Sequence, residues 1–301
     1  MATALRTALF DQFSKITDRM QANPDMDLEQ VRFLLEELGT LASEPTEVTY
    51  EDVDAGGVPA ILIRPFGAVS DRVIVYTHGG GCVTNTAASH RKLTGHLAKA
   101  AGVHALVVDY RLAPEDPFPA QIEDTLKAHA WLREQGYSAE HTATAGDSAG
   151  GNLAITTVLK LRDLGEALPA AVIAFSPWID MENIGETMET NAASDALVKR
   201  ELSANMSGMY LGGASPTDPL ANPLYADLTG FPPAFVSAGG AEALLDNATR
   251  FVERAKGAGV DVTYEEAAGH QHVYQFMAGR SDDADRTIAN VANWVRPHLG
   301  L

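Results

Sequence analysis

The stretch Gly146-Asp147-Ser148-Ala149-Gly150-Gly151 decides the fold, because it sets a serine among glycines where a strand pattern gives way to a helix pattern. The apolar run 141–145 before it favours a β-strand, and the Ala/Leu/Ile/Val run 152–161 after it favours a helix. A G-x-S-x-G sequence in this context predicts a sharp turn that exposes the serine at the top of a sheet. The glycines suit so tight a turn because they carry no Cβ. Ser148 is therefore the candidate nucleophile.

A second glycine-rich stretch, His78-Gly79-Gly80-Gly81, follows the apolar run 73–76. Successive glycines leave backbone N–H groups uncovered, so Gly80 and Gly81 can donate to an oxyanion, with the N–H of Ala149 as a third donor. His78 and Gly79 complete this motif. We expect Asp147 either to orient the neighbouring loops or to satisfy its own turn. The two glycine-rich stretches together predict acyl transfer.

A serine hydroxyl needs a general base, and the base needs an acid that fixes its tautomer. The chain order expected for this kind of fold is serine, acid, histidine. His272 follows a predicted strand on the loop 269–274 and is the candidate base, with His270 as the alternative. The His-x-His spacing has no third ligand cluster beside it, so we expect no metal site.

Three carboxylates compete for the role of the acid. Glu242 lies just past the C-terminal end of a predicted strand, where the active residues of open α/β sheets gather. Asp246 lies one helical turn further on, and Asp180 follows an earlier strand. Glu242 is the preferred candidate on position, and the other two stay open.

The composition of the chain indicates which classes of partner it is expected to lack. The chain has 301 residues, 46% of them hydrophobic, and a formal net charge of −18, which repels phosphate backbones and anionic lipid surfaces. We therefore expect neither a nucleic-acid partner nor stable membrane association. Cys82 is the single cysteine, which excludes an internal disulfide and fits a reducing compartment. The first 20 residues are interrupted by charges, so we expect no signal peptide and a cytoplasmic location.

Strand and helix patterns alternate along most of the chain, which implies a mainly parallel sheet with helices on both faces. The first helix is predicted from apolar residues that recur from Leu5 to Met20. The predicted helices are 5–20, 28–38, 90–101, 121–135, 152–162, 241–256 and 282–297, and the predicted strands are a hairpin over 47–64 and then 72–77, 103–109, 141–146, 170–175, 234–238 and 261–266.

The segment 179–224 interrupts this alternation. It contains helical patches and turn residues but no strand pattern, and an insertion this long after a core strand predicts a lid over the site. The last predicted strand, 261–266, is expected at an exposed edge of the sheet, where unpaired backbone groups invite a partner. We therefore expect a homodimer through that edge.

With these motifs in place, and with Ser176-Pro177-Trp178 and Phe231-Pro232-Pro233, the chain resembles bacterial members of the hormone-sensitive-lipase family of α/β-hydrolases. The resemblance implies an eight-stranded, mostly parallel sheet in a catalytic domain formed by 46–178 and 225–301. It also implies a helical cap built from 1–45 and 179–224. A family member of this kind is a carboxylesterase for short acyl chains, without metal or cofactor.

Two segments extend this resemblance. In the family the acid usually stands first in Asp-Pro-Leu-x-Asp, and the matching stretch here is Glu242-Ala243-Leu244-Leu245-Asp246, which begins with glutamate. The stretch Asp109-Tyr110-Arg111-Leu112-Ala113-Pro114-Glu115 is expected to brace the glycine loop, with Arg111 as an ion-pair or hydrogen-bond centre inside the fold.

The sequence thus predicts a serine carboxylesterase with the triad Ser148, His272 and Glu242. A rival function is small-molecule binding without cleavage, as in the plant gibberellin receptors, which resemble this family but lack a working histidine. The same triad could also hydrolyse lactones or amides.

Overall fold

One eight-stranded sheet organises the molecule, in the order β1-β2-β4-β3-β5-β6-β7-β8. The computed structural model describes residues 2–301, with side chains from residue 8 onward. The strands β1 and β2 form the expected antiparallel hairpin, β2 also runs antiparallel to β4, and all the remaining pairs are parallel. The strands are β1 Val48–Asp54, β2 Pro59–Pro65, β3 Val69–Thr77, β4 Val103–Val108, β5 Thr142–Asp147, β6 Ala171–Phe175, β7 Ala234–Gly239 and β8 Val262–Ala267.

Helices cover both faces of the sheet. On one face α3 and α9 pack with the N-terminal helices against apolar side chains such as Ile74 and Tyr76. On the other face α4, α5 and α8 pack against the alternate side chains, such as Val73 and Val75. The helices are α1 Ala2–Ala22, α2 Leu28–Leu35, α3 Ala87–Ala101, α4 Ala120–Glu134, α5 Ala149–Asp163, α6 Thr187–Thr190, α7 Arg200–Leu211, α8 Leu245–Gly257 and α9 Asp282–His298.

The expected eight-stranded, mostly parallel sheet is confirmed, and most element boundaries agree to within a few residues. The predicted helix 241–256 is wrong at its start, because α8 begins only at Leu245. The N–H of Glu242 donates to the carbonyl of Gly239, and the N–H of Ala243 donates to Asp195, so this backbone forms a turn instead. Leu5 lies outside the residues whose side chains are described.

The parallel strands place the site. Because β3, β5, β6 and β7 run in the same direction, their carboxyl ends meet at one edge of the sheet. The glycine loop, the candidate nucleophile and the loop with the candidate acid each follow one of these ends. No described helix combines the length and the hydrophobicity needed to span a bilayer.

Candidate active site

The nucleophile turn is formed where β5 meets α5. Ser148 lies between these elements with φ 53° and ψ −122°, a conformation that is strained for a residue with a side chain. A Cβ on Gly146 would collide with the carbonyl of Gly150, and a Cβ on Gly150 would collide with the carbonyl of Thr77. The two flanking glycines are therefore required by close packing, and Ser148 lies partly exposed in the sharp turn between β5 and α5.

The glycine loop follows β3 and presents unused donors. Gly80 and Gly81 have φ 109° and 66°, the region that favours glycine. A Cβ on Gly80 would also collide with the carbonyl of Thr84. Within residues 2–301, no hydrogen bond has the backbone N–H of Gly80, Gly81 or Ala149 as its donor. These three groups are thus available to an oxyanion.

Asp147 ties the glycine loop to the nucleophile turn. Its Oδ1 accepts hydrogen bonds from the Tyr76 hydroxyl at 2.7 Å and from the Gly79 N–H at 3.2 Å. Its Oδ2 lies 3.3 Å from His90 Nε2. Burial disfavours the charged carboxylate, but His90 and Tyr76 outweigh burial and lower the pKa of Asp147. Of the two roles expected for Asp147, the geometry supports orientation of the neighbouring loop.

The stretch 109–115 braces the glycine loop, although not through Arg111. The Tyr110 hydroxyl donates to the His78 carbonyl at 2.6 Å, and the Tyr110 ring stacks on the imidazole with 4.1 Å between centroids. The Ala113 N–H donates to the carbonyl of Cys82 at 2.9 Å. Burial raises the pKa of the Cys82 thiol, as suits a packed side chain.

The expectation that Arg111 lies inside the fold is wrong. Its side chain is 39% exposed and pairs with three carboxylates, those of Asp116, Glu123 and Asp124. At this position the guanidinium keeps part of its hydration while it is neutralised. Arg111 therefore anchors the start of α4 at the surface.

The candidate base and acid lie within hydrogen-bonding distance. Nδ1 of His272 is 3.2 Å from Oε2 of Glu242, and the two side chains are 5% and 0% exposed. Because a carboxylate only accepts, this contact places the ring proton on Nδ1 and leaves Nε2 free to take a proton. The arrangement is that of a general base oriented by an acid.

Burial and charge oppose each other in this pair. Burial lowers the pKa of His272, but the hydrogen bond and the charge of Glu242 outweigh burial, so the pKa of His272 is raised from its ordinary 6.5. Burial raises the pKa of Glu242, and the nearby imidazole counteracts part of that rise. The pair thus stabilises the imidazolium that forms when His272 accepts a proton.

The other candidates have different partners. Asp246 accepts the N–H of Thr187 at 3.2 Å. Asp180 pairs with Arg250 at 2.7 Å, and His270 lies 3.0 Å from Asp283. Geometry therefore favours Glu242 as the acid and His272 as the base. Across residues 2–301, no group of three His, Cys, Asp or Glu side chains is arranged to hold a metal ion.

Ser176 supports the acid and the base together, and the sequence reasoning missed this role. It directly follows β6 with φ 45°, and its Oγ accepts the N–H of Val273 at 3.0 Å. The pKa of Glu242 is raised by burial, and the Ser176 hydroxyl counteracts part of that rise. The signal available in the sequence was its place in the Ser-Pro-Trp stretch after a core strand.

Asp195, in the insertion, holds the loop that carries Glu242, which is called the acid loop below. The sequence did not predict this role of Asp195. Its side chain is 1% exposed. One oxygen accepts the N–H of Ala243 at 2.7 Å, and the other accepts the N–H groups of Leu197 and Val198, each at 2.8 Å. The carboxylate therefore joins the residue after Glu242 to a wall of the cavity.

Further hydrogen bonds join the same part of the insertion to both loops of the acid–base pair. Asn191 Nδ2 donates to the Glu242 carbonyl at 2.9 Å. Gln271 donates to the Ser194 carbonyl at 2.8 Å and accepts the N–H of Ala196 at 2.9 Å. The segment 191–196 thus fixes the acid loop relative to the loop that carries the histidine.

Ser148 and His272 line one cavity with an empty volume of about 620 Å³, part of it open to solvent. Most of its wall is apolar and comes from α2, the insertion and the sheet edge. The apolar lining includes Leu35, Leu38, Trp178, Leu197, Val198, Leu202, Met206, Leu244 and Phe276. Such a cavity suits a small, largely apolar substrate.

Other proteins are similar to this chain in fold and in sequence. A family model of the alpha/beta hydrolase fold matches residues 74–276, more than half of the chain. The chain is 36% identical over 265 residues to an acetyl-hydrolase of Streptomyces hygroscopicus, covering 88% of this chain and 87% of the relative. It is 30% identical over 282 residues to an esterase of Acinetobacter venetianus, covering 93% of each chain.

A crystal structure of another esterase is also similar to this chain. The crystal structure of an esterase from the bacterial hormone-sensitive lipase family superposes with a TM-score of 0.92 and 42% sequence identity, covering 97% of this chain and 98% of the other. The fold, the motifs and the relatives all point to the same assignment. The chain belongs to the bacterial hormone-sensitive-lipase family of α/β-hydrolases, a family of carboxylic ester hydrolases.

Proposed function

We propose that the chain is a serine carboxylesterase that hydrolyses short-chain acyl esters through Ser148, His272 and Glu242. The observation that carries the proposal is the buried contact of 3.2 Å between His272 and Glu242, in the same cavity as Ser148. A base that is oriented by a carboxylate, in the same cavity as a serine, is the arrangement that acyl transfer requires.

The first half of the reaction forms an acyl-enzyme. The Ser148 hydroxyl attacks the ester carbonyl while Nε2 of His272 takes its proton, and the oxyanion accepts hydrogen bonds from Gly80, Gly81 and Ala149. When the intermediate collapses, the bond between the carbonyl carbon and the alkoxy oxygen breaks. The leaving alcohol then takes the proton from His272.

The second half releases the acid. Water gives a proton to His272 and attacks the acyl carbonyl, and the same backbone donors hold the second oxyanion. Collapse breaks the bond to the Ser148 oxygen, which regains the proton, and the carboxylic acid leaves. Glu242 remains ionised throughout and stabilises the imidazolium in both steps.

The preference for short acyl chains rests on the enclosure of the cavity. We propose that 1–45 and 179–224 form a cap over the body made by 46–178 and 225–301, since α2 and the insertion supply part of the wall. A pocket limits chain length where an open trough would not. Peak activity on acyl chains of about twelve carbons or more would contradict this preference.

We also propose that the protein forms a homodimer and is located in the cytoplasm. A homodimer would form through β8, whose burial is only partial along most of its length and which pairs only with β7 within residues 2–301. Size exclusion coupled to light scattering tests the dimer. A cytoplasmic location is tested by fractionation of the producing cells.

The decisive experiment compares the wild type with Ser148→Ala on 4-nitrophenyl butyrate. Loss of activity in Ser148→Ala, with activity retained in the exposed-serine control Ser70→Ala, is the expected result. Equal activity in Ser148→Ala and the wild type would refute the proposal. A parallel panel of esters, lactones and anilides with matched acyl groups separates ester hydrolysis from the related reactions, and binding without turnover would support a receptor.

A further inference from the structure

One polar side chain in the cavity wall has no role in the proposed chemistry. Asn85 lines the cavity and is only 3% exposed. Its Oδ1 is buried without a hydrogen-bond partner. Buried amides are normally paired, because leaving one unpaired forfeits the hydrogen bonds that it makes with water. This amide therefore needs an explanation.

Backbone geometry does not supply that explanation. Asn85 has φ 67°, in the left-handed region, where asparagine is tolerated. Glycine adopts the same conformation without strain and would bury no polar group. The neighbouring Thr84 hydroxyl, in contrast, is satisfied by the Gly80 carbonyl at 3.0 Å. The turn requires a left-handed residue, but it does not require the amide.

The backbone that carries Asn85 is held against the glycine loop. The N–H groups of Val83 and Thr84 donate to the Gly80 carbonyl at 3.1 and 2.9 Å, so the chain that leads to Asn85 folds back on the glycine loop. Asn85 and Ser148 face the same cavity. A substrate that reacts with Ser148 therefore shares the cavity with the Asn85 side chain.

We propose that Asn85 selects esters that carry a hydroxyl group near the scissile carbonyl. An amide both donates and accepts, and so does a hydroxyl, so either end of the amide can pair with it. A site that hydrogen-bonds a substrate hydroxyl discriminates against the analogue without it. The hydroxyl can belong to the acyl chain or to the alcohol. This inference rests on the proposed esterase function.

The test measures ratios of kcat/KM in Asn85→Gly. The acyl arm compares the 4-nitrophenyl esters of 3-hydroxybutyrate and butyrate, and the alcohol arm compares 2-hydroxyethyl butyrate with ethyl butyrate. The matched control is Glu47→Gly, because Glu47 also has a positive φ of 60° but is exposed. Glycine keeps the backbone conformation at both positions, so both variants are expected to fold.

Asn85→Gly is expected to lower the ratio of hydroxylated to plain ester by about three- to tenfold in one arm, the effect of a single neutral hydrogen bond. The arm that responds identifies the acyl or the alcohol source of the hydroxyl. Glu47→Gly is expected to leave both ratios within about twofold of the wild type. Unchanged ratios in both arms of Asn85→Gly, including a proportional loss on all four esters, overturn the inference. Wild-type activity on plain butyrate checks the esterase function separately.

Discussion

Glu242→Gln tests the acid of the proposed triad. The Glu242 carboxylate is fully buried and 3.2 Å from His272 Nδ1. The amide of glutamine fills the same space but removes the charge that stabilises the imidazolium. It can also donate to Nδ1, which would place the ring proton on Nε2 and leave no free base there. A related change in another triad lowers kcat about 10⁴-fold. We expect a loss of about 10³- to 10⁴-fold here, or roughly 4–5.5 kcal/mol in activation free energy.

The assay is kcat/KM for 4-nitrophenyl butyrate, measured across pH. The matched control is Asp246→Asn, four residues further along the chain, where the carboxylate accepts the N–H of Thr187. We expect that control to keep activity within about threefold of the wild type, since the hydrogen bonds of the Asp246 carboxylate go to Thr187 and Asn247 and not to the imidazole. A large loss in Asp246→Asn together with a small loss in Glu242→Gln would refute the assignment of the acid.

Three further predictions follow from the same contacts. Since the pKa of His272 is raised from 6.5 and its neutral form is the base, kcat/KM should rise with pH and reach half its maximum above 6.5; a midpoint below 6.5 would contradict this. Asp195→Ala leaves three N–H groups unpaired, two of them on buried residues, and should cost about 3 kcal/mol or more of unfolding free energy by denaturant titration, whereas the exposed-site control Asp25→Ala should be neutral. An unchanged stability in Asp195→Ala would contradict the role of Asp195. Ser176→Ala should lower kcat about three- to tenfold, as expected when the hydrogen bond that positions the backbone next to His272 is lost, with KM within twofold; an unchanged kcat and pH profile would show that Ser176 does not position the pair.

Local chemistry explains why the sequence predicts so much of this fold. The tight turn around Ser148 has no room for a Cβ at Gly146 or Gly150, so the glycines in the sequence indicate the turn directly. Strand and helix periodicities likewise depend on neighbours along the chain, so the order of the elements is readable from them. The nucleophile turn and the glycine loop could be predicted from the sequence for this reason.

Contacts between distant segments explain what the sequence did not predict. Ser176 and Val273 are 97 positions apart, and Asp195 and Ala243 are 48 apart. Nothing local marks these pairs, because each residue would also be ordinary in a turn. The late start of α8 has the same cause, since Asp195 takes an N–H group from the backbone just before the helix.

Arg111 shows a different limit. Its place in a motif suggested a buried role, but the side chain is long enough to pair with two exposed carboxylates and the buried one of Asp124 while it stays partly exposed itself. The stretch does brace the glycine loop, through Tyr110 and Ala113. A motif therefore predicted the contact between segments, while the side chain that makes it depended on the packed structure.

Covalent labelling of the nucleophile tests the central claim most directly. The wild type is incubated with diethyl 4-nitrophenyl phosphate, and peptide mass spectrometry locates the adduct while residual activity is followed. We predict one diethylphosphoryl group per chain, located on Ser148, with loss of activity in proportion to labelling. An adduct on another residue, or inactivation without labelling of Ser148, would contradict the account.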